Sequence, residues 1–391
     1  MNVTETDVAV LGAGLAGALM AKSLAEKGWR TLLVDRHRFP RHKVCGEFLS
    51  PEVRQTLDAA GLLDRVTALR PARVERARLI SADGGYVDIP LPGTAMGLSR
   101  FRLDEALHEA AAAAGARVLT SAAVLSVTRL ADESCEVRVR REAGMEVIRA
   151  RTVIAAWGAN GQARIAKAGR TRRTLNPWKR SAPDYMGVKS HYTGIEMEPI
   201  VELYLFPGGY LGLCPIEDGL VNVSALLSRE SFRGAGKSVL ALLEAAARRC
   251  PPLHSKLKRG LPVPDAQAAV APVKLDRRLN PWDMMPRLGD SSAMIPPLCG
   301  DGMSMALRSA RLCAPLANDY LRGKLSIAEW EEQYVRAVKR TFGRPLRWGR
   351  LLQSSLNSPA AVRLLLRLAQ LSPGMASGLL EATRLKPERE S

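Results

Sequence analysis

The stretch Asp7–Asp35 constrains this chain more than any other. An apolar run, Val8–Leu11, leads into Gly12-Ala-Gly14-Leu-Ala-Gly17, then a helical pattern, then a second apolar run, Leu32–Val34, that ends at Asp35. That order reads as strand, tight turn, helix and parallel strand, the opening unit of a dinucleotide-binding sheet. Each glycine has its own reason to be there. Gly12 permits the sharp turn, Gly14 lets the backbone approach a pyrophosphate, and Gly17 lets the helix pack close to the sheet. Free N–H groups and partial positive charge at the helix N-terminus favour phosphate. Asp35 stands where a carboxylate accepts from ribose hydroxyls.

A chain of 391 residues has room for two domains and a C-terminal appendage. No uncharged run reaches membrane-spanning length. The first residues, MNVTETD, carry acids and no basic leader, and the six cysteines show neither CxxC nor zinc spacing. These features predict a cytoplasmic protein with free thiols and no metal site. The net charge of +18 admits nucleic acid, an anionic membrane surface or an acidic partner. Most of the 57 basic residues are arginine, however, and no nucleic-acid-binding motif accompanies them. A generally basic surface without a specific nucleic-acid partner is the expectation.

After Asp35 runs a chemically varied loop, Pro40-Arg41-His42-Lys43-Val44-Cys45-Gly46-Glu47, of the kind that carries function. Ser50 and Pro51 read as the cap and first residue of a helix to about Ala60. A hairpin is expected over Arg73–Ile89, and a helix over Glu105–Ala114. A strand meander follows over Ala123–Val147, and another strand at Thr152–Ala156. Gln162–Arg180 is basic and without acids, and reads as a solvated loop. Further strands include Val201–Phe206 and Gly209–Pro215, and a helix is expected near Ala235–Arg249. Pro297–Met303 opens a helix through about Tyr320, and the remainder is helical and basic. In that tail Val362, Leu365, Leu366 and Ala369 form an apolar stripe, read either as a cap over the substrate entrance or as plain core packing. The same basic helices carry the expectation of weak peripheral contact with the inner face of the membrane.

Four stretches together resemble the FAD-dependent oxidoreductases of the geranylgeranyl reductase type, within the para-hydroxybenzoate hydroxylase-like superfamily. They are the glycine turn with Asp35, the loop Pro40–Glu47 with Ser50-Pro51, Ser99-Arg100 with Leu103-Asp104, and Gly289-Asp290 with Pro297 and Gly300-Asp301-Gly302-Met303. The resemblance implies an α/β fold. A Rossmann-like FAD-binding domain (1–71, 96–165 and 270–325) interleaves with a mixed-sheet substrate domain (72–95 and 166–269), and a helical region (326–391) follows. It implies FAD held non-covalently by Gly12, Gly14, Gly17, Asp35, Arg41, Arg100, Asp290, Gly300, Gly302 and Met303. Arg100 would lie near the pyrophosphate and Asp290 on the ribityl chain, and the Gly300–Met303 turn would face the ring.

The resemblance also brings Cys45 to the ring, where a thiol either donates a proton or fills space. Tyr210 fits an aromatic strand over the flavin, as substrate contact or as core. Gly212 stands where reductases of this type carry tryptophan, which argues against a halogenase and leaves room for a bulky substrate. Two activities are open. One is reduction of carbon–carbon double bonds in a lipophilic polyprenyl or polyketide-type substrate. The other is hydroxylation of an aromatic or polyketide compound. NAD(P)H is one electron donor to consider. No second nicotinamide-binding unit is visible, so it would bind transiently or another donor would serve.

Overall fold

The computed structural model describes residues 3–161, 184–294 and 296–355, together with 361, 363, 364, 367, 370, 374, 378 and 381–386. The basic stretch Gln162–Arg180 and the stripe Val362, Leu365, Leu366 and Ala369 lie outside the described residues.

The chain opens with β1 (Val3–Leu11), α1 (Leu15–Ala25) and β2 (Thr31–Val34). Beyond the varied loop come β3 (Phe48–Leu49), α2 (Val53–Asp58), α3 (Leu63–Thr67), β4 (Ala72–Ser81) and β5 (Tyr86–Gly97). Next are α4 (Arg100–Ala113), β6 (Arg117–Leu119), β7 (Ala123–Arg129), β8 (Cys135–Arg141) and β9 (Gly144–Ala155). They are followed by β10 (Tyr185–Thr193), β11 (Ile200–Phe206), β12 (Gly209–Pro215), β13 (Val221–Ser228), α5 (Val239–Ala247) and α6 (Pro251–Leu257). The last elements are β14 (Leu261–Pro262), β15 (Ala268–Val273), α7 (Gly302–Leu321) and α8 (Ile327–Ser355).

Two sheets result. The first has the order β6-β2-β1-β9-β8-β7. Its strands β6, β2, β1 and β9 run parallel, as a strand–helix–strand opening demands. Strand alternation sorts its side chains between two layers. Val8, Val10 and Leu33 pack with α1, α4, α7 and α8, whereas Ala9, Leu11, Leu32 and Val34 pack with Val127, Val137 and Ile148. The second sheet has the order β14-β10-β13-β12-β11-β4-β5-β3, with β15 also on β10. One of its faces buries Leu211, Leu213 and Val223 against α5 and α6. The other presents Leu203, Leu205, Tyr210, Cys214 and Leu226 to a cavity.

Three helix starts differ from the sequence expectations, and β9 joins the end of the expected meander to the strand expected at Thr152–Ala156. The helix expected from Pro51 begins at Val53, because Ser50 does not cap it; its hydroxyl lies 2.5 Å from that of Ser304 on α7. Helix α4 starts at Arg100 rather than Glu105, since Ser99 accepts from the Arg102 N–H and caps it earlier. Helix α5 starts after Ser238, which accepts from the Ala241 N–H. All six cysteines are free.

Candidate functional site

The glycine turn is built as its spacing implies. Gly12 has φ +111°, and a Cβ there would lie 2.4 Å from the Ala156 carbonyl oxygen at the end of β9. A Cβ on Gly17 would lie 1.8 Å from the Gly12 carbonyl oxygen. Gly17 therefore seats α1 on the turn and makes no wall of the site. Gly14 differs: a Cβ there would meet only the Arg100 Nη2 at 3.7 Å and the Lys43 Nζ at 3.9 Å.

Those two cations, with Arg41, gather beside the turn. Arg100 is buried and grips Asp104 with two bonds of 2.9 and 2.8 Å. Lys43 is held below its ordinary pKa by Arg100 and by burial, with Asp290 and Asp104 opposing. Burial also lowers Arg41, whose Nε makes no hydrogen bond while its guanidinium stacks over Phe39. Burial raises Asp290 against the pull of Lys43, Arg100 and Arg277. Cations so crowded at the open side of a glycine turn fit a diphosphate, which would relieve their mutual repulsion.

A cavity of about 360 Å³ runs from this point past Asp35, Arg41, Lys43, Trp157 and Asp290. The Asp35 carboxylate accepts from the Ala13 and His37 N–H groups, each at 2.8 Å. Burial alone would raise its pKa; the His37 side chain and the two N–H groups outweigh burial and lower it. Part of Asp35 is thus spent on shaping the turn.

A second cavity, of about 300 Å³, adjoins the first, and both are lined by Val44, Val270, Val273 and Met294. Its described walls are mainly aliphatic, with Ala77, Leu79, Ile89, Val201, Leu203 and Leu205 from the second sheet. Cys45, Gly46, Tyr210, Gly212, Cys299 and Gly300 also line it. A Cβ on Gly46 or Gly302 would meet nothing within 4 Å, so both backbones border open space. Gly300, at φ +72°, packs against the Phe48 ring. The Arg100 guanidinium interacts with the Cys45 sulfur. Burial pushes Tyr210 well above its ordinary pKa and Cys299 up to about 12.

Of the residues expected to hold the cofactor, Gly14, Gly17, Arg100, Gly302 and Met303 are not among the described lining of either cavity, and Met303 lies in the core. Its side chain is 4% exposed and packs in the core between α1 and α7, since the inward face of a helix start belongs to the core. The structure also adds a cluster that sequence reasoning missed. Glu47, at φ +55°, receives hydrogen bonds from Lys189 Nζ at 2.7 Å and the Arg100 N–H at 2.9 Å, and its Oε2 lies 2.6 Å from His191 Nε2. Burial would raise Glu47; His191 and Lys189 outweigh it and hold the carboxyl below its usual range. His42 stacks on Phe101 and is pulled down to about 4 by burial, with Lys189 and His191 adding to it. The signal that could have found the cluster is local: Val188-Lys189-Ser190-His191 is polar on both faces of a buried strand.

A family model described as an FAD-binding domain matches residues 5–180. The chain is 28% identical to the menaquinone reductase of Mycolicibacterium smegmatis, over 92% of this chain and 88% of that protein. It is also 28% identical to a digeranylgeranylglycerophospholipid reductase of Methanothermobacter thermautotrophicus, over 81% of this chain and 77% of the relative. A geranylgeranyl bacteriochlorophyll reductase-like protein of Thermoplasma acidophilum shares the fold with a TM-score of 0.76 at 20% identity, covering 97% of this chain and 96% of that one. Glycine turn, gathered cations and the matched domain together define an FAD-dependent oxidoreductase. Within that class the chain is similar, at 28% identity, to a menaquinone reductase and a digeranylgeranylglycerophospholipid reductase.

Proposed function

We propose that this flavoprotein reduces carbon–carbon double bonds of a lipophilic substrate, of polyprenyl or polyketide type, seated in the aliphatic cavity beside Cys45. The observation that carries the reading is that cavity, whose walls offer an alkyl chain apolar contact on the second sheet. Each buried methylene contributes about 0.8 kcal/mol there. Support comes also from the relatives, whose names are those of reductases of lipid molecules. On this reading the first sheet with α1, α4 and α7 forms the FAD-binding domain (1–71, 96–165 and 270–325). Residues 72–95 and 166–269 form the substrate domain, followed by the helical region 326–391.

Gly14, Arg41, Lys43 and Arg100 hold the diphosphate; Asp35 and Asp290 hold the sugar and ribityl hydroxyls. FAD held there would, once reduced, supply the hydride for one alkene carbon. The other carbon needs a proton, and the Cys45 thiol in the cavity wall donates it and is reprotonated from solvent. Tyr210, with its hydroxyl held protonated by burial, contacts substrate rather than titrating. NAD(P)H binding transiently, or another reduced carrier, supplies the electrons. No described helix is long and apolar enough to cross a membrane. We place the enzyme in the cytoplasm, with peripheral contact at the membrane's inner face.

The test is anaerobic reduction of the flavoprotein, then reoxidation with prenyl substrates. Cys45→Ser and Cys45→Ala are expected to keep their FAD and be reduced, yet to reoxidise about 10²–10⁴-fold more slowly. Unchanged reoxidation in Cys45→Ala dismisses the proton-donor role. Oxygen consumed with formation of a hydroxylated product would establish the monooxygenase activity instead.

A further inference from the structure

The loop that brings Cys45 to the cavity is tied at both ends to one buried ammonium. Lys189 Nζ lies 3.4 Å from His42 Nδ1 and 2.7 Å from the Glu47 carboxylate, so residues 43–46 arch between two attachments. The Lys189 and Glu47 side chains are both 0% exposed. Neither residue is among the described lining of either cavity. Glu47 is bound from several elements at once: Lys189 and His191 on β10, the Arg100 N–H at the start of α4, and the Leu98 N–H donating to its carbonyl at 3.0 Å. Its own N–H donates to the Cys45 sulfur at 3.4 Å. The residue does all this in a left-handed conformation that a side chain other than glycine's rarely adopts.

Buried ion pairs are weak contributors to stability, because desolvation offsets their attraction; their better-attested use is to select one arrangement among several. Here the arrangement selected is that of the Cys45–Glu47 turn. We propose that Glu47 is a positioning residue: clamped by Lys189 and His191, it fixes the turn after Gly46 so that the Cys45 sulfur faces the cavity, held by the Glu47 N–H. The activity arm below rests on the reductase reading; the alkylation arm does not.

The experiment compares Glu47→Gln, Lys189→Met and the double variant with the wild type, all loaded with FAD. Iodoacetamide alkylation of Cys45 is followed by peptide mass mapping, with Cys135 on β8 as the internal reference. Release of the clamp takes from the sulfur the Glu47 N–H that donates to it, so Cys45 alkylation is expected to slow by about tenfold while Cys135 is unchanged. With substrate, kcat is expected to fall about 100-fold with KM within about twofold, as a displaced reacting group requires. The double variant restores charge balance and is expected to recover most of the melting temperature without recovering either rate. His191→Asn keeps the Lys189–Glu47 pair, and with it the fold, and is expected to show the same slowing in smaller measure. Wild-type alkylation of Cys45 in a double variant, or in His191→Asn, that melts like the wild type would overturn the proposal. Failure of the wild type to be reoxidised by any prenyl substrate would refute the reductase reading and leave the alkylation result standing.

Discussion

Replacing Gly14 and Gly17 in turn separates cofactor binding from folding. At Gly14 the backbone has φ −74°, which alanine adopts freely, and the added methyl meets only the far ends of two flexible side chains at 3.7 and 3.9 Å. The apoprotein of Gly14→Ala should lose nothing. The stiffer unfolded chain contributes about 0.4–1 kcal/mol, which raises the melting temperature by about 1–3 °C. The same methyl stands between the turn and the cations that receive the diphosphate. Losing two charge-assisted hydrogen bonds at about 1.5–3 kcal/mol each weakens FAD binding by roughly 10²–10⁴-fold. At Gly17 the methyl would lie 1.8 Å from a carbonyl oxygen, a backbone atom that cannot swing away. Overpacking of that kind costs about 1–3 kcal/mol or more, so Gly17→Ala should melt early even without FAD. Thermal melts of the apoproteins and quenching of flavin fluorescence on titration read both quantities. Gly14→Ala that binds FAD as tightly as the wild type would show that the diphosphate does not approach this turn.

Asp301 is 1% exposed, and burial pushes its carboxyl up to about 7, with Arg384 and the Ser50 hydroxyl opposing less strongly. A pKa raised on folding means that the stability this group contributes is fully present below about 3.9 and is lost as the pH climbs through about 7. Asp301→Asn cannot ionise, so its melting advantage over the wild type should grow between pH 4 and 8, to at most about 4 kcal/mol; a flat difference refutes the buried placement. Tyr210→Phe keeps the cavity wall and should leave reoxidation by substrate within about threefold, whereas Tyr210→Ala should cost about 3–5 kcal/mol in denaturant melts. A collapse of turnover in Tyr210→Phe at full FAD content would give the hydroxyl a chemical role.

Much of the cofactor side was legible in the sequence because its signals are local. Gly12, Gly14 and Gly17 fall within six residues of one another, and the strand and helix periods on either side of them set their geometry. The hairpin β4–β5 and the pair β11–β12 announce themselves in the same way, through alternation and a glycine-bearing turn. Tertiary structure decided what depends on contacts between distant parts of the chain. Lys189 meets Glu47 across 142 residues, and the hydroxyls of Ser50 and Ser304 meet across 254. Ser50 reads as a helix cap until α7 supplies a partner, and the core placement of the Met303 side chain is set by the packing of α7. Backbone periodicity is written residue by residue. The pairing of buried polar groups is settled only when two sheets close on each other and leave each donor the acceptors within its reach.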